Sequence, residues 1–354
     1  MNHRFLSAVR DLAVGIAVVS LAPVPVAGQA PAAAKSTAGS KAWTPSRTPD
    51  GQPDMQGFWI NGTYAPLERP DNVTNEFYTR EEAAQFVREA AEREGSQAVP
   101  GTGADVHYDR AQFGLPRSRA GYAPNLRTSV IVDPPNGKLP PMSAEGQKRA
   151  AERAEARKRM GGLFDQLALS TDRELTLRCF ILERSGPPML SGNYNNTLQI
   201  VQTPGYVTVL VEMLHNARII PLDGRSRLPQ NVRQWTGSSR GRWEGDTLVV
   251  ETANLNGKFP FRVTLARWTD TSENMRVTER FTRVDEETIR YQFTIDDPAT
   301  WARPWSGEMP LERSVGPIFE HACHEGNYDL SHMLALTRAA EKRAAEEAAK
   351  KGSR

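Results

Sequence analysis

Four polar side chains fall where the pattern of the chain calls for apolar ones. His215 ends an alternating run behind Val207, Val209, Val211 and Met213. Glu279 sits between Val277 and Phe281, and Glu251 alternates with Val249 and Ala253. His324 shares a face of the segment "FEHACHE" with Glu320 and Ala322. A carboxylate buried beside an imidazole is how a general base working near neutral pH is made. Together with Glu325, which adjoins His324, these residues form a candidate acid–base set of His215, His324, Glu325, Glu251 and Glu279. Arg218, Arg233 and Arg280 could hold an anionic group or neutralise those acids. Trp301 and Trp305, in "TWARPWSGEMP", could stand at the rim of a cavity. The same residues also suit a satisfied buried network that only fixes strand register. Both readings stand at this point.

Other chemistries are poorly served. His321 and His324 are three apart, which on a strand sends them to opposite faces, and no spacing matches a zinc signature. No metal site is expected. The chain has no Walker loop, no dinucleotide glycine fingerprint, no nucleophile elbow and no HExxH motif, so no cofactor is expected either. Cys323 has His321 and His324 beside it, as an activated thiolate needs. Its more natural fate is a bond to Cys179, the other of only two cysteines. The reason is the start of the chain, where Arg4 and Arg10 precede a short apolar run (Leu12–Ala22) and small residues suited to cleavage. That is a secretory signal peptide over 1–30, and export favours a disulfide.

Elements that would position these residues follow from periodicity. From about Asn195 the period becomes two. "LQIVQT", "YVTVLVEMLH", "ARIIPL", "VRQWTG", "TLVVET", "FRVTLARWT", "NMRVTERFTRV", "ETIRYQFTI" and "IFEHACHE" read as short strands between turns. The intervals are too short for crossover helices, so pairing should be antiparallel. The expected fold is mainly β with peripheral helices (α+β). Its centre is an antiparallel barrel, lipocalin-like in outline, or a sandwich. A flexible leader (31–50) and a helical and irregular region (51–190) precede the barrel (191–328). A C-terminal helix and charged tail (329–354) follow. Thr79 and Glu82 stand at capping-box spacing before one helix. A second, strongly charged helix covers 143–162, and the irregular stretch 96–142 is placed as a lid.

The formal charge is +2, with no clustered basic face of the kind nucleic acid requires. After the signal peptide, no apolar run is long enough to span a membrane. A small-molecule ligand is therefore the expected partner.

"TPDGQPDMQGFW", "SGPPMLSGNYNNTLQIVQTPGYV", "RQWTGSSRGRWEGDTLVVET" and "HACHEGNYDL" resemble recurring segments of a large family of uncharacterised secreted bacterial proteins. The resemblance covers Thr48 to about Arg338. It implies an exported bacterial protein, periplasmic or secreted, and implies no reaction. It singles out Glu212, His215, Arg218, Arg233, Trp235, Trp243, His324 and Glu325 as characteristic positions. The expectation is an exported protein that binds a small, partly aromatic or anionic molecule in a barrel cavity. Two alternatives remain: a cofactor-independent hydrolase, lyase or isomerase using His/Glu chemistry, and a cell-envelope interaction protein built on the charged helices.

Overall fold

The computed structural model describes residues 43–63, 65–95, 126–159, 179–182, 185–192, 195–258, 260–262 and 268–352. The expected signal peptide, the leader as far as 42 and the greater part of the expected lid lie outside the described residues. The strands are β1 (Gly57–Ile60), β2 (Ile131–Asp133), β3 (Thr197–Thr203), β4 (Tyr206–Val211), β5 (Asn216–Pro221), β6 (Ser238–Glu244), β7 (Thr247–Ala253), β8 (Pro260–Arg262), β9 (Trp268–Asp270), β10 (Arg276–Arg283), β11 (Thr288–Asp296) and β12 (Trp305–Ser314). The helices are α1 (Arg80–Gly95), α2 (Ala144–Arg159) and α3 (Asp329–Gly352). At the start of α1 the Glu82 side chain accepts from Thr79 N at 2.8 Å and Thr79 Oγ1 accepts from Glu82 N at 3.1 Å, which is the expected capping box.

Nine strands follow one another around a nearly closed, antiparallel barrel in the order β5-β4-β3-β1-β12-β11-β10-β7-β6. β2 adds to β12, and β8 pairs with β9 apart from the barrel. Every pair along the path is antiparallel. An odd number of alternating strands leaves the first and the last running in the same direction. β5 and β6 therefore meet in parallel sense, without a shared backbone ladder. Parallel neighbours need a long crossover, and residues 222–237 supply it. That stretch includes "VRQWTG", expected to be a strand; it is the return limb of the crossover. Asn254 holds it in place, donating from Nδ2 to the carbonyls of Pro229 (2.8 Å) and Val232 (3.1 Å).

Alternate residues of the long strands turn inward, as period two requires, and most of them are apolar. Phe281, Tyr291, Phe293, Trp305 and Trp301 form a continuous row of rings with centroids 5.0 to 5.8 Å apart. Trp301 and Trp305 are thus core residues, 2% and 0% exposed, and not a cavity rim. Gly307 makes room for this row, because a Cβ there would run into the Phe293 ring. Two further expectations change, and one strand was not expected. The barrel does not begin at 191: β1, carrying the fully buried Trp59, fills the place between β3 and β12. β12 contains Pro310, yet lies inside the sheet. Glu308 N donates to Val130 O on the side of β2, so Pro310, of the same parity, turns its missing N–H that way too. β2 reaches only Ser306 and Gly307, and β1 only Glu312 to Ser314. Pro310 falls in the gap, where no ladder bond is lost. Finally, "FEHACHE" is not a strand. It is irregular chain, tied by a disulfide between Cys179 and Cys323 with Cα atoms 5.9 Å apart.

Candidate functional site

Across the inner side of the β5/β6 seam runs a belt of polar side chains. Arg218 of β5 extends past β6 and β7 to Glu279 of β10, donating from both Nη1 (3.0 Å) and Nη2. On the way Nη2 meets Ser239 Oγ and Thr252 Oγ1, each at 3.4 Å, and these hydroxyls bond one another at 2.8 Å. Tyr291 donates from its hydroxyl to Glu279 Oε1 at 2.8 Å and accepts from Met189 N at 3.0 Å. The Arg218 and Glu279 side chains are 2% and 0% exposed. Burial pushes the Tyr291 phenol well above its ordinary range, and the Glu279 charge adds to the push. For Arg218 burial acts downward, but the charge and hydrogen bond of Glu279 leave the guanidinium above its usual value. A carboxylate held between a guanidinium and a phenol is poorly placed to take a proton from a substrate. What the belt does is join two strands that share no backbone ladder.

The structure separates the other members of the expected acid–base set. Strand register places Glu251 opposite Thr278, on the face away from Glu279. Glu251 is therefore on the outside, paired with Arg227 and with Arg242 (2.7 Å). His215 leaves the apolar face of β4 because Leu214 and His215 take positive φ angles of 57° and 51°, turning the chain outward. Its Nε2 accepts from His321 N at 2.8 Å. His324 and Glu325 are exposed, just beyond the disulfide. Glu212 is buried and accepts from Thr197 N and Phe319 N, both at 3.2 Å, so it anchors the irregular segment. Burial, reinforced by His215 and opposed by Glu212, holds the His321 imidazole below its usual value. Among the expected ligand-contacting residues, Arg233 is committed to Glu273, whose carbonyl accepts its Nη1 at 2.5 Å. Arg280 pairs with Glu244 outside the barrel at 2.9 Å. Trp243 packs against the core, and Trp235 stacks on Phe180 with centroids 6.1 Å apart. Among the described residues no group of three or more His, Cys, Asp or Glu side chains could hold a metal ion.

The crossover 222–237 leaves two clefts beneath it. One, of about 500 Å³, lies against the ends of β7, β10 and β11, and Arg227, Arg233, Glu273 and Asp296 are among its lining residues. The other, of about 380 Å³, lies along the outside of the seam between Ile219 and Arg240. Here the charges do not balance. Arg225 is bound to Asp223 through Nε (2.9 Å) and Nη2 (2.5 Å) and lies over the Tyr206 ring. That contact holds the Asp223 carboxyl down at about 2. Among the described residues Arg240 has only neutral partners: Ser238 Oγ at 3.1 Å, Ser239 O at 2.7 Å and Ser226 O at 3.0 Å. Its Nε is buried with no hydrogen-bond partner. Glu251 stands directly opposite Arg240 in the β6/β7 register and could have neutralised it, but Arg227 and Arg242 hold Glu251 instead.

Arg240 is the residue that sequence reasoning missed. "SSRGRWE" places Arg240 and Arg242 on one outward face, and nothing in the pattern ranks one above the other. Only the orientation of Glu251 separates them. Compared with known proteins, the chain matches no family model, no curated protein and no solved structure.

Proposed function

We propose that this is an exported bacterial protein that binds a small molecule carrying an oxyanion, in the cleft between β5, β6 and the crossover 222–237. The observation that carries the reading is Arg240: a half-buried guanidinium that opens on a cleft and, among the described residues, bonds only to neutral groups. A cation kept partly out of water is costly without a counter-charge, and a planar guanidinium suits a carboxylate or phosphate through two parallel hydrogen bonds. Ser238 and Gln234 add polar groups to the lining, while Tyr206, Ile219 and Leu228 make it partly apolar. Such a mixture of apolar wall and few polar groups is the usual make-up of a small-molecule site. Export rests on the signal-like start of the chain and accords with the disulfide. Among the described residues no helix is long and apolar enough to cross a membrane. Binding without turnover is favoured over acid–base catalysis because His215, Glu251 and Glu279 face three different surroundings.

The test is isothermal titration of the purified chain with benzoate, acetate and inorganic phosphate, repeated with Arg240→Gln. Saturable binding that weakens at least tenfold in the variant, with an unchanged melting temperature, is the expected result. Equal binding by both proteins would move the site elsewhere.

A further inference from the structure

The cleft does not end at Arg240. On the seam, Arg218 meets Ser239, and a Cβ at Gly241 would meet Ile220 at 2.8 Å. The residues between these two contacts, Ile219 and Arg240, are neighbours on the outer face. Ile219 is 63% exposed. Strand register continues the row from Ile219 to Thr208 and on to Val201, which is 38% exposed. Beside it runs a second row through Ala217 and Leu210. Ile219 thus has Ala217 beside it along the strand and Thr208 across from it, and it borders the cleft that Arg240 lines. Two strand spacings, about 10 Å, separate Ile219 from Val201.

Resting on the proposed anion cleft, we infer that its ligand is an amphipathic carboxylate. The head is held by Arg240, and an unbranched or aryl tail lies outward across β5 and β4 over Ile219 toward Val201. The charge complement fixes the direction. The anion must sit at Arg240, because Arg225 is already bound to Asp223. The apolar part then has Ile219 and Ala217 immediately in front of it. A purely polar anion would leave Ile219 in water and gain nothing from it.

A series of straight-chain carboxylates from acetate to octanoate, each kept below its micelle-forming concentration, tests this on the full chain. Affinity should rise about two- to fourfold for each added methylene that lies over β5 and β4, following the transfer free energy of a methylene group. Ile219→Ser should flatten that rise, so that octanoate loses more affinity than acetate does. A flat series that Arg240→Gln still abolishes would overturn the apolar track and keep the anion cleft. A rise that Ile219→Ser does not alter would place the tail elsewhere and also overturn it. Failure of every carboxylate to bind would remove both readings.

Discussion

The wall formed by β12, β11 and β10 and the seam between β5 and β6 close the same barrel by different means. In the wall, backbone ladders run without interruption and the inner face is a row of aromatic rings. At the seam the backbone ladder is missing, and a buried Arg218–Glu279 pair with two hydroxyls takes its place. The difference teaches that strand number sets the sense in which the closing strands meet, and so whether the commoner antiparallel ladder can join them. Nine alternating strands cannot close through an antiparallel pair; here β5 and β6 form no parallel ladder either, and side chains make the last joint. It also requires a long crossover, and that crossover creates the clefts.

The sharpest way to break the comparison is at the buried pair. Glu279→Ala should strand Arg218 without its counter-charge and cost about 3–5 kcal/mol, read as a lower urea midpoint. The double change Arg218→Met with Glu279→Leu should recover much of that loss, since a buried ion pair replaced by apolar groups is often neutral. Phe293→Ala in the wall should cost a similar ~3–5 kcal/mol through an unfilled cavity. There no partner substitution of this kind can restore it. If the double change at the seam is as damaging as Glu279→Ala alone, the pair does more than hold the strands together.

A second contrast uses the two inward glycines. At Gly307 an added methyl meets the Phe293 ring, locked between Tyr291 and Trp305. At Gly241 it meets the ends of Leu222 and Ile220, at 2.6 and 2.8 Å. Gly307→Ala should lower stability by about 1–3 kcal/mol, as overpacking does. Gly241→Ala should lower it less, because aliphatic ends at an unladdered seam can shift. Thermal melts of both variants decide the order.

Much of the wall was legible in the sequence. "NMRVTERFTRV" and "ETIRYQFTI" alternate well enough to be read as strands, and from Arg276 to Arg283 burial follows parity, with Glu279 and Arg283 as polar residues on the inward side. β12 was not legible, because Trp305, Gly307 and Pro310 disguise the alternation, and the gap that tolerates Pro310 exists only once β1 and β2 are in place. At the seam, Glu279 could be marked as a polar residue on an apolar face and Arg218 as a cation able to neutralise such an acid, but no local pattern says that these two meet. Glu251 looked equivalent to Glu279 and proved to face outward, since the register between β7 and β10, not the alternation within either, sets the face. The irregular run "FEHACHE" looks alternating by accident; a disulfide and two backbone bonds to Glu212 and His215 hold it instead of a ladder.

Outside both regions the effects should be smaller. An unfolded histidine takes its proton near pH 6.5, whereas the folded His321 takes it at lower pH. Between these values the unfolded chain binds more protons, so stability is full above about pH 6.5 and declines as pH falls below it. Replacing His321 by Phe should flatten that part of the curve, as measured by urea midpoints from pH 7.5 to 5. Smallest of all should be Arg242→Ala. Its bonds to Glu244 and Glu251 are exposed and screened, so a melt in moderate salt should barely move.

The bond between Cys179 and Cys323 has a topological consequence. Every strand from β3 to β12 lies within the covalent ring it closes, while β1 enters from outside and completes the sheet between the ring's two ends. A single peptide-bond cut anywhere between the two cysteines, the long crossover included, would leave one covalent body. Such a nicked chain would migrate as a single species until a reductant divided it in two.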